Sequence, residues 1–543
     1  MTTKAVRDAA FDVMRRQGMT TIFANPGSTE VSFLVDLPDD ISFVLALHEA
    51  SVVGIATGWA IAARQPAFVL LHTTAGLGNA VGAIATARGN RAPLVIVVGQ
   101  QDRRHLALQP FLAGELEGLA GDYPLDVIAP VRAQDVPSAI ERAAHHARRG
   151  QGPVIVIVPM DDWLVPHEPD HAAAAQSVVE ARTAAWDVSD LTELVAAARA
   201  PVIVSGAGND SEVGWSALVA LAERLDAPVW QEAFGARAGF PQDHRLFRGH
   251  LPADRARARE ALAGADFVLV VGAAALRQYP YAEGPLVPTG ARIVVVTADP
   301  AEAERSPAEL AMIGEPADVV AALVSELEKS GAPALSTSPQ RLVTRPAAAP
   351  SAAGLLAPGG PISPAEVFTL LGGLLPADTV LVEESPSSRA LLHALIPARR
   401  PLGFVSAAMG GLGFALPASI GIKRALPERP VVAVVGDGSA MYAIQSLWTA
   451  AHLGIGVLCI VMANGRYAVM DRLAEQAGGK PPWPAFPEVT VGGIAESMGC
   501  QVVKVDRRDA LETVLTESIS ALGRLNHPLV IEVAVASDGP VAV

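Results

Sequence analysis

Two residues that could bind a metal ion, Asp437 and Asn464, lie 27 positions apart, and each follows a short apolar run. A strand, a crossover helix and a second parallel strand need about that length, so both side chains should emerge at one edge of a sheet. A carboxylate, an amide oxygen and the N–H groups of a helix opened by Ser439 suit Mg²⁺ shared with a diphosphate. Asp-Gly turns are common, so GDG (436–438) alone indicates only a turn. The asparagine at this spacing favours the metal site.

A solitary carboxylate is the second candidate. Glu49 is the only formally charged side chain between Asp40 and Arg64, in a segment rich in Ala, Val, Ile and Gly. An unpaired buried carboxylate costs several kcal/mol or takes up a proton. Glu49 therefore lies either on the wet face, meaning the solvent-exposed face, of an otherwise buried helix or at a functional site.

These residues need a scaffold, and short runs rich in Val and Ile recur with helical patterns between them. Continuous apolar strands that alternate with helices indicate parallel sheets covered on both faces, which is the α/β class. Between the apolar runs at 429–438 and 457–465, we expect a single crossover helix of about fourteen residues that begins at Ser439. The runs are 66–71, 93–99, 153–158, 201–205, 266–272, 292–299, 379–384, 429–438, 457–465 and 528–535.

The chain length of 543 residues predicts about three domains. Residues 331–363 lack any period and are dense in Ala, Pro, Ser and Gly, as expected of a linker, and a softer break falls near 165–185. The predicted divisions are domains 1–170, 185–330 and 364–543 with a linker at 331–363. GLGNA (76–80) and GLGFA (411–415) share a local pattern, which arises either by chance or because two domains share one fold.

Composition narrows the possible partners and location. A net charge of −15, spread along the chain, argues against nucleic acid or an anionic membrane as a partner. Two cysteines without metal-ligand spacing indicate a reducing compartment, and hence the cytoplasm. The first 18 residues form the pattern of a docked amphipathic helix, with Val6, Ala9, Ala10, Val13 and Met14 on one face, and no segment is long enough to span a membrane.

The motifs together resemble those of a known family. GDGSAM (436–441), followed by ANG (463–465), resembles the diphosphate and magnesium motif of thiamine-diphosphate-dependent enzymes. The segments 25–30, 45–60, 71–80 and 407–421 are similar to the matching parts of the decarboxylase branch, benzoylformate decarboxylase in particular. The resemblance implies three doubly wound domains, which are pyrimidine-binding, middle and diphosphate-binding in chain order.

The resemblance also implies roles for the cofactor-binding residues. Glu49 would hydrogen-bond N1′ of the aminopyrimidine, an interaction that apolar surroundings strengthen by lowering the local dielectric. Leu412 would wedge the cofactor into a bent shape, although core packing also explains a leucine. Asp437, Asn464 and the backbone carbonyl of Arg466 would hold Mg²⁺. The complete set of cofactor-binding residues that the resemblance implies is Glu49, Pro26, Gly27, Ser387, Gly411, Leu412, Asp437, Gly438, Ser439, Asn464, Arg466 and Tyr467.

Two further catalytic candidates, besides Glu49, come from the same resemblance. Ser28 matches a serine that meets the substrate carboxylate, and an ordinary helix N-cap is the alternative. His72, at the end of an apolar run, matches a proton-transfer histidine, and a capping or core histidine is the alternative.

Three segments depart from the patterns they resemble. Benzoylformate decarboxylases carry a second active-site histidine after the middle-domain strand at 266–272, and here Tyr279 or Tyr281 stands about where it would be. A phenol holds its proton more tightly than an imidazole, so protonation of the intermediate is in doubt. Pro386 stands in a normally hydroxyl-rich loop. VIVSGAGND (202–210) begins like a dinucleotide-binding turn, but Ser211 replaces its third glycine.

The sequence thus predicts a cytoplasmic homodimer or homotetramer with active sites between subunits. It would decarboxylate a 2-oxo acid, with benzoylformate or a related aromatic acid as the best guess, to an aldehyde and carbon dioxide through a cofactor-bound enamine. One alternative is an acetolactate-synthase-like carboligase that joins the enamine to a second carbonyl compound. Another is a catalytically silent binding protein.

Overall fold

The computed structural model describes residues 4–168, 185–279, 281–330 and 361–537, and these contain three parallel six-stranded sheets. The predicted apolar runs form strands that are buried on both faces by flanking helices. The three-sheet α/β class is therefore confirmed. The parts of the chain built on the successive sheets are called the first, middle and third domains below.

The first domain begins with the amphipathic helix, which buries the five residues predicted to share its face. Its strands are β1 Thr21–Asn25, β2 Ser42–Leu45, β3 Ala67–His72, β4 Leu94–Gln100, β5 Asp126–Ile128 and β6 Pro153–Pro159. Its helices are α1 Val6–Gln17, α2 Val31–Leu34, α3 Glu49–Ala63, α4 Thr73–Gly89 and α5 Val136–Gly150.

The middle domain follows residues 169–184, which lie outside the described residues together with part of the predicted break. Its strands are β7 Pro201–Ser205, β8 Val229–Gln231, β9 Phe247–His250, β10 Phe267–Val271, β11 Arg292–Thr297 and β12 Leu310–Ile313. Its helices are α6 Ser189–Ala197, α7 Glu212–Leu225, α8 Arg255–Ala261, α9 Pro300–Arg305 and α10 Pro316–Lys329.

The third domain follows the predicted linker, of which residues 331–360 lie outside the described residues. Its strands are β13 Val380–Glu384, β14 Phe404–Ser406, β15 Val431–Gly436, β16 Leu458–Ala463, β17 Gln501–Val505 and β18 Leu529–Ala534. Its helices are α11 Pro364–Leu374, α12 Arg389–Leu395, α13 Ala415–Ala425, α14 Asp437–Ala440, α15 Ser446–His452, α16 Ala468–Gln476, α17 Val491–Ser497 and α18 Arg508–Ser520.

The first and third sheets share one strand order. It is β2-β1-β3-β4-β6-β5 in the first and β14-β13-β15-β16-β18-β17 in the third, which is the same order counted within each domain. GLGNA lies inside α4, after the third strand of its domain, whereas GLGFA precedes α13, after the second strand. The two segments are not equivalent, so their similarity is coincidental although the shared fold is real.

The equivalent helices α3 and α13 pack backbone against backbone. A Cβ on Gly58 would lie 2.1 Å from the carbonyl oxygen of Ala418, and one on Gly421 would lie 1.9 Å from that of Ile55. Any larger residue at either glycine would force the two helices apart. This contact fixes α3, which begins at Glu49, against the third domain.

The expected crossover helix between β15 and β16 is broken. A four-residue helix, α14, begins at Asp437 rather than at Ser439, and α15 begins only at Ser446. The turns between them carry Tyr442, which lines the cavity described next. The prediction of one long helix was wrong.

Candidate active site

Asp437 and Asn464 follow neighbouring parallel strands, as their spacing predicted. The register pairs Gly436 of β15 with Met462 of β16, so both side chains leave the sheet at its carboxyl edge. Asp437 is buried, and its two carboxylate oxygens accept hydrogen bonds from the N–H groups of Gly438 at 2.8 Å and Gly465 at 2.6 Å. Burial raises the pKa of Asp437, and the backbone hydrogen bonds partly oppose that shift.

A cavity of about 490 Å³ opens at this edge. Its walls combine polar groups with the larger side chains of Met462, Met470, Tyr442 and Trp483. Eight of the residues predicted to bind a cofactor line it: Ser387, Leu412, Asp437, Gly438, Ser439, Asn464, Arg466 and Tyr467. The same edge also presents Pro386 and Gly410 to the cavity, whereas Gly411 is exposed beside Thr86.

The polar groups in the cavity wall suit a divalent cation and a phosphate group. Carboxylate, amide and backbone carbonyl oxygens from Asp437, Asn464 and Arg466 are hard ligands of the kind Mg²⁺ prefers. The Asn464 amide oxygen accepts a hydrogen bond from the Arg466 N–H at 3.1 Å and keeps a second lone pair. A Cβ at Gly438 would lie 2.6 Å from the Tyr467 ring, so only glycine fits beneath that ring. The residues present therefore fit magnesium diphosphate.

The loop that carries Leu412 is held by a glutamate that the sequence analysis did not single out. Glu384 ends β13, is buried, and accepts hydrogen bonds of 2.7 Å each from the N–H groups of Gly413, Phe414 and Ala415. Glu384 on β13 thus caps the start of α13, which follows a different strand, β14. Burial raises the pKa of Glu384 to about 7, against the lowering effect of those three donors.

Ser387 and Arg466 connect the cavity wall to α16. The Ser387 hydroxyl accepts a hydrogen bond from the Val469 N–H at 3.2 Å, and its carbonyl accepts one from Arg472 at 2.7 Å. The Arg466 side chain is paired with Asp471 at 2.9 Å. These contacts orient both residues without occupying the backbone carbonyl of Arg466.

Glu49 begins α3 and is buried, which excludes the wet-face interpretation. Its oxygens accept hydrogen bonds from the side-chain amides of Asn25 at 3.1 Å and Asn79 at 3.0 Å. The surroundings are thus less apolar than the local sequence indicated. Asn25 ends β1 and Asn79 lies on α4, so the fold alone brings the three together.

His72 ends β3 and lies against a second buried carboxylate. Its Nδ1 is 2.9 Å from the Thr29 hydroxyl and 3.1 Å from Glu30, which also accepts the Gly27 N–H at 2.7 Å. His72 occupies the N-cap position of α4, but its side chain makes no capping hydrogen bond. A Cβ on Gly27 would lie 2.4 Å from the His72 ring, so this glycine is required.

Ser28 and Pro26 are exposed beside this histidine. Ser28 does not cap α2, because that helix begins at Val31 with Glu30 as its N-cap. The capping alternative is therefore wrong. Among the described residues, the Ser28 hydroxyl has no hydrogen-bond partner, so it is free to meet a ligand.

The first-domain candidates do not reach the cavity of their own chain. Glu49, Ser28 and His72 are absent from the walls of the 490 Å³ cavity, as far as the described residues define them. Tyr279 and Tyr281 are also absent from those walls and are 69% and 77% exposed, with Arg255 stacked 5.3 Å from the ring centroid of Tyr281. One chain thus presents two separate groups of candidate residues.

Comparison with known proteins assigns the chain to a family. It matches models described as thiamine pyrophosphate enzyme, N-terminal TPP binding domain over residues 4–120, central domain over 188–323 and C-terminal TPP binding domain over 387–533. Thiamine pyrophosphate is another name for thiamine diphosphate.

Individual relatives match over almost the whole length. Benzoylformate decarboxylase of Pseudomonas aeruginosa is 37% identical, covering 99% of this chain and 100% of the relative. A putative acetolactate synthase large subunit of Mycobacterium tuberculosis is 28% identical, covering 96% and 97%. The solved thiamine diphosphate-dependent 4-hydroxybenzoylformate decarboxylase of Rhodococcus jostii superposes with a TM-score of 0.91 at 33% identity, covering 98% and 100%. The chain therefore belongs to the thiamine-diphosphate-dependent 2-oxo-acid decarboxylases, in the family that includes benzoylformate decarboxylase.

Proposed function

We propose that this enzyme converts benzoylformate or a related aromatic 2-oxo acid to an aldehyde and carbon dioxide without oxidation. The observation that carries the proposal is the 37% identity to a benzoylformate decarboxylase over 99% of the chain. The solved relative with a TM-score of 0.91 is a 4-hydroxybenzoylformate decarboxylase, and 4-hydroxybenzoylformate is also an aromatic 2-oxo acid. The acetolactate synthase relative is less similar, so carboligation is the weaker alternative.

The third domain would hold the cofactor. Asp437, Asn464 and the carbonyl of Arg466 are proposed to bind Mg²⁺, with Gly438, Ser439 and Ser387 beside the diphosphate. Leu412 and Tyr467 would pack against the organic part of the cofactor. When bound, thiamine diphosphate supplies the electron sink that makes loss of carbon dioxide possible.

The first domain would position protons and substrate. Glu49, fixed by the amides of Asn25 and Asn79, would hydrogen-bond N1′ of the pyrimidine, with Pro26 and Gly27 nearby. Thr29 and Glu30 engage Nδ1 of His72, which leaves Nε2 to exchange a proton with the substrate. The exposed Ser28 hydroxyl would donate a hydrogen bond to the substrate carboxylate.

The complete site would need two chains. The cavity walls hold third-domain residues, while Glu49 and His72 lie elsewhere on the same chain. A homodimer, or a homotetramer built from dimers, would bring the first domain of one chain to the third domain of another. The exposed Tyr279 or Tyr281 would then occupy the position of the missing histidine.

A cytoplasmic location completes the proposal. Cys459 and Cys500 are both free and buried, which suits a reducing compartment. No helix among the described residues has the length and apolar character needed to cross a membrane.

A panel of 2-oxo acids, assayed for carbon dioxide with and without thiamine diphosphate and Mg²⁺, tests the function. We expect release from benzoylformate to exceed release from pyruvate and to require both additions. Aldehyde as the sole product excludes the carboligase, whereas a yellow flavin-containing protein that makes a joined product supports it. No release from any acid would contradict the proposed function.

A further inference from the structure

The turn that resembles a dinucleotide site packs its glycines against a neighbouring loop. The middle sheet has the strand order β12-β11-β10-β7-β8-β9, which is that of dinucleotide-binding folds. A Cβ on Gly206 would lie 2.7 Å from the carbonyl oxygen of Gly272, and one on Gly208 would lie 2.9 Å from the Gly272 Cα. Close packing against the neighbouring loop after β10 thus accounts for both glycines without a ligand, and the rest of the turn needs its own explanation.

The last residue of that turn, Asp210, connects all three domains. Its buried carboxylate accepts a hydrogen bond from the Leu402 N–H of the third domain at 2.9 Å. Its other oxygen pairs with Nε of Arg237 at 3.3 Å, and its backbone carbonyl accepts a hydrogen bond from Arg64, directly after α3, at 3.2 Å. A single aspartate therefore contacts the first and third domains.

Arg237 continues the connection to Asn90, directly after α4. The Arg237 guanidinium donates to the backbone carbonyl of Asn90 at 2.9 Å. The Asn90 amide then donates to the carbonyl of Ser406 and accepts from the N–H of Ala408, both at 2.8 Å. Asn90 is buried, so both hydrogen bonds are shielded from water.

Three of these hydrogen bonds join the junction to the segment that leads to the cavity. The N–H groups of Leu402 and Ala408 donate two of them, and the carbonyl of Ser406 accepts the third. Arg237 also forms an antiparallel bridge with Val405, and the chain then reaches Gly410 and Leu412 in the cavity wall. We propose that Asn90, Asp210 and Arg237 form a three-domain junction that positions residues 402–411 and so sets the place of Leu412 against the cofactor. The inference rests on the proposed function.

A buried ion pair is poor evidence for stability alone, because removing charges from water costs about as much as their attraction returns. A positioning role explains why this pair and the Asn90 amide end on one segment. Displacing a packing residue by about 1 Å is enough to weaken binding and catalysis strongly. The three residues act through Leu412 and are positioning residues.

The test compares Asn90→Ala with Gln242→Ala. Gln242 is also buried and also accepts a backbone N–H across the boundary with the third domain, but from Ala398, 14 residues before Leu412. Thiamine diphosphate affinity is measured by titration calorimetry with Mg²⁺ present, beside the thermal midpoint of each protein without cofactor. We expect Asn90→Ala to weaken affinity by about tenfold or more and Gln242→Ala by less than about twofold, at similar losses of thermal midpoint. Equal affinities in the two variants would overturn the proposal.

A second measurement needs no variant. In the unaltered protein without cofactor, hydrogen exchange of the Leu402 and Ala408 amides should already be slow and should change little when cofactor is added. Fast exchange that becomes slow only with cofactor would show that the junction does not position the segment. Carbon dioxide release by the unaltered protein is measured separately, so failure of the proposed function is distinguished from failure of the junction.

Discussion

Glu49 is held from two sides by Asn25 and Asn79, so its orientation does not depend on the cofactor. Glu49→Gln keeps the shape of the side chain and removes the charge that would polarise the pyrimidine. We expect kcat to fall by about 10²-fold or more, as for loss of a proton-transfer group, with little change in cofactor affinity. Carbon dioxide release and calorimetric titration measure the two quantities.

The exposed Glu117, in the same domain, supplies the matched control. Glu117→Gln should leave both quantities unchanged. A loss of cofactor affinity in Glu49→Gln equal to the loss of kcat would instead assign Glu49 to binding alone.

Candidate residues could be identified from the sequence where the local sequence is unusual. Glu49 is conspicuous because its segment is otherwise uncharged, and Asp437 and Asn464 because of their spacing. Glu30 and Glu384 were missed as functional candidates, although both lie in segments that carry the motifs. Their importance comes from the groups they contact, His72 and the start of α13, and those contacts exist only in the folded chain.

At the scale of elements, the glycines between α3 and α13 give a stability prediction. Gly58→Ala places a Cβ about 2 Å from the Ala418 carbonyl and should destabilise the protein by about 1–3 kcal/mol. Gly373, near the end of α11, has no neighbour within 4 Å of an added Cβ, so Gly373→Ala should stabilise by about 0.4–1 kcal/mol. Urea unfolding of the two variants measures both, and shifts of the same sign would contradict the packing.

The capping of α13 by Glu384 predicts a pH dependence. Its pKa of about 7 lies above the ordinary value of 4.5, so the native state binds this proton more tightly than the unfolded chain does. The resulting stability is fully present below about pH 4.5 and is lost as the pH rises through 7. Relative to Glu384→Gln, the free energy of unfolding of the unaltered protein should fall by roughly 2.5 kcal/mol between pH 5 and 8. Urea unfolding of both proteins across that range is the measurement, and a constant difference would contradict the shift.

Most central strands were predictable, although β1 and β8 lie outside the ten apolar runs, and the edge strands were not. The ten apolar runs all became strands because burial on both faces requires an unbroken apolar sequence. Among the strands missed, β9 and β17 lie at sheet edges and are partly exposed, so their sequences mix polar and apolar residues. The break between α14 and α15 was also missed, since no glycine or proline marks it.

At the scale of the whole molecule, a site shared between chains predicts complementation. Glu49→Gln damages the first-domain group and Asp437→Ala the third-domain group, so each homo-oligomer should be nearly inactive. In an isolated mixed dimer, one of the two sites would combine undamaged groups, which should restore about half of the activity. Differently tagged, co-expressed chains purified over both tags provide the sample. Failure of the mixed dimer to recover activity would place the complete site within one chain.

The shared strand order of the first and third sheets has a consequence for engineering. Under the proposed function, two domains of one topology would carry unlike tasks, with proton-handling groups on the first and cofactor-anchoring groups on the third. Substitutions around Ser28 and the middle-domain tyrosines would then leave the proposed cofactor-anchoring residues unchanged. A library confined to those positions should yield altered acid preference in proteins that still retain their coenzyme, so new specificities are reachable without rebuilding the reaction.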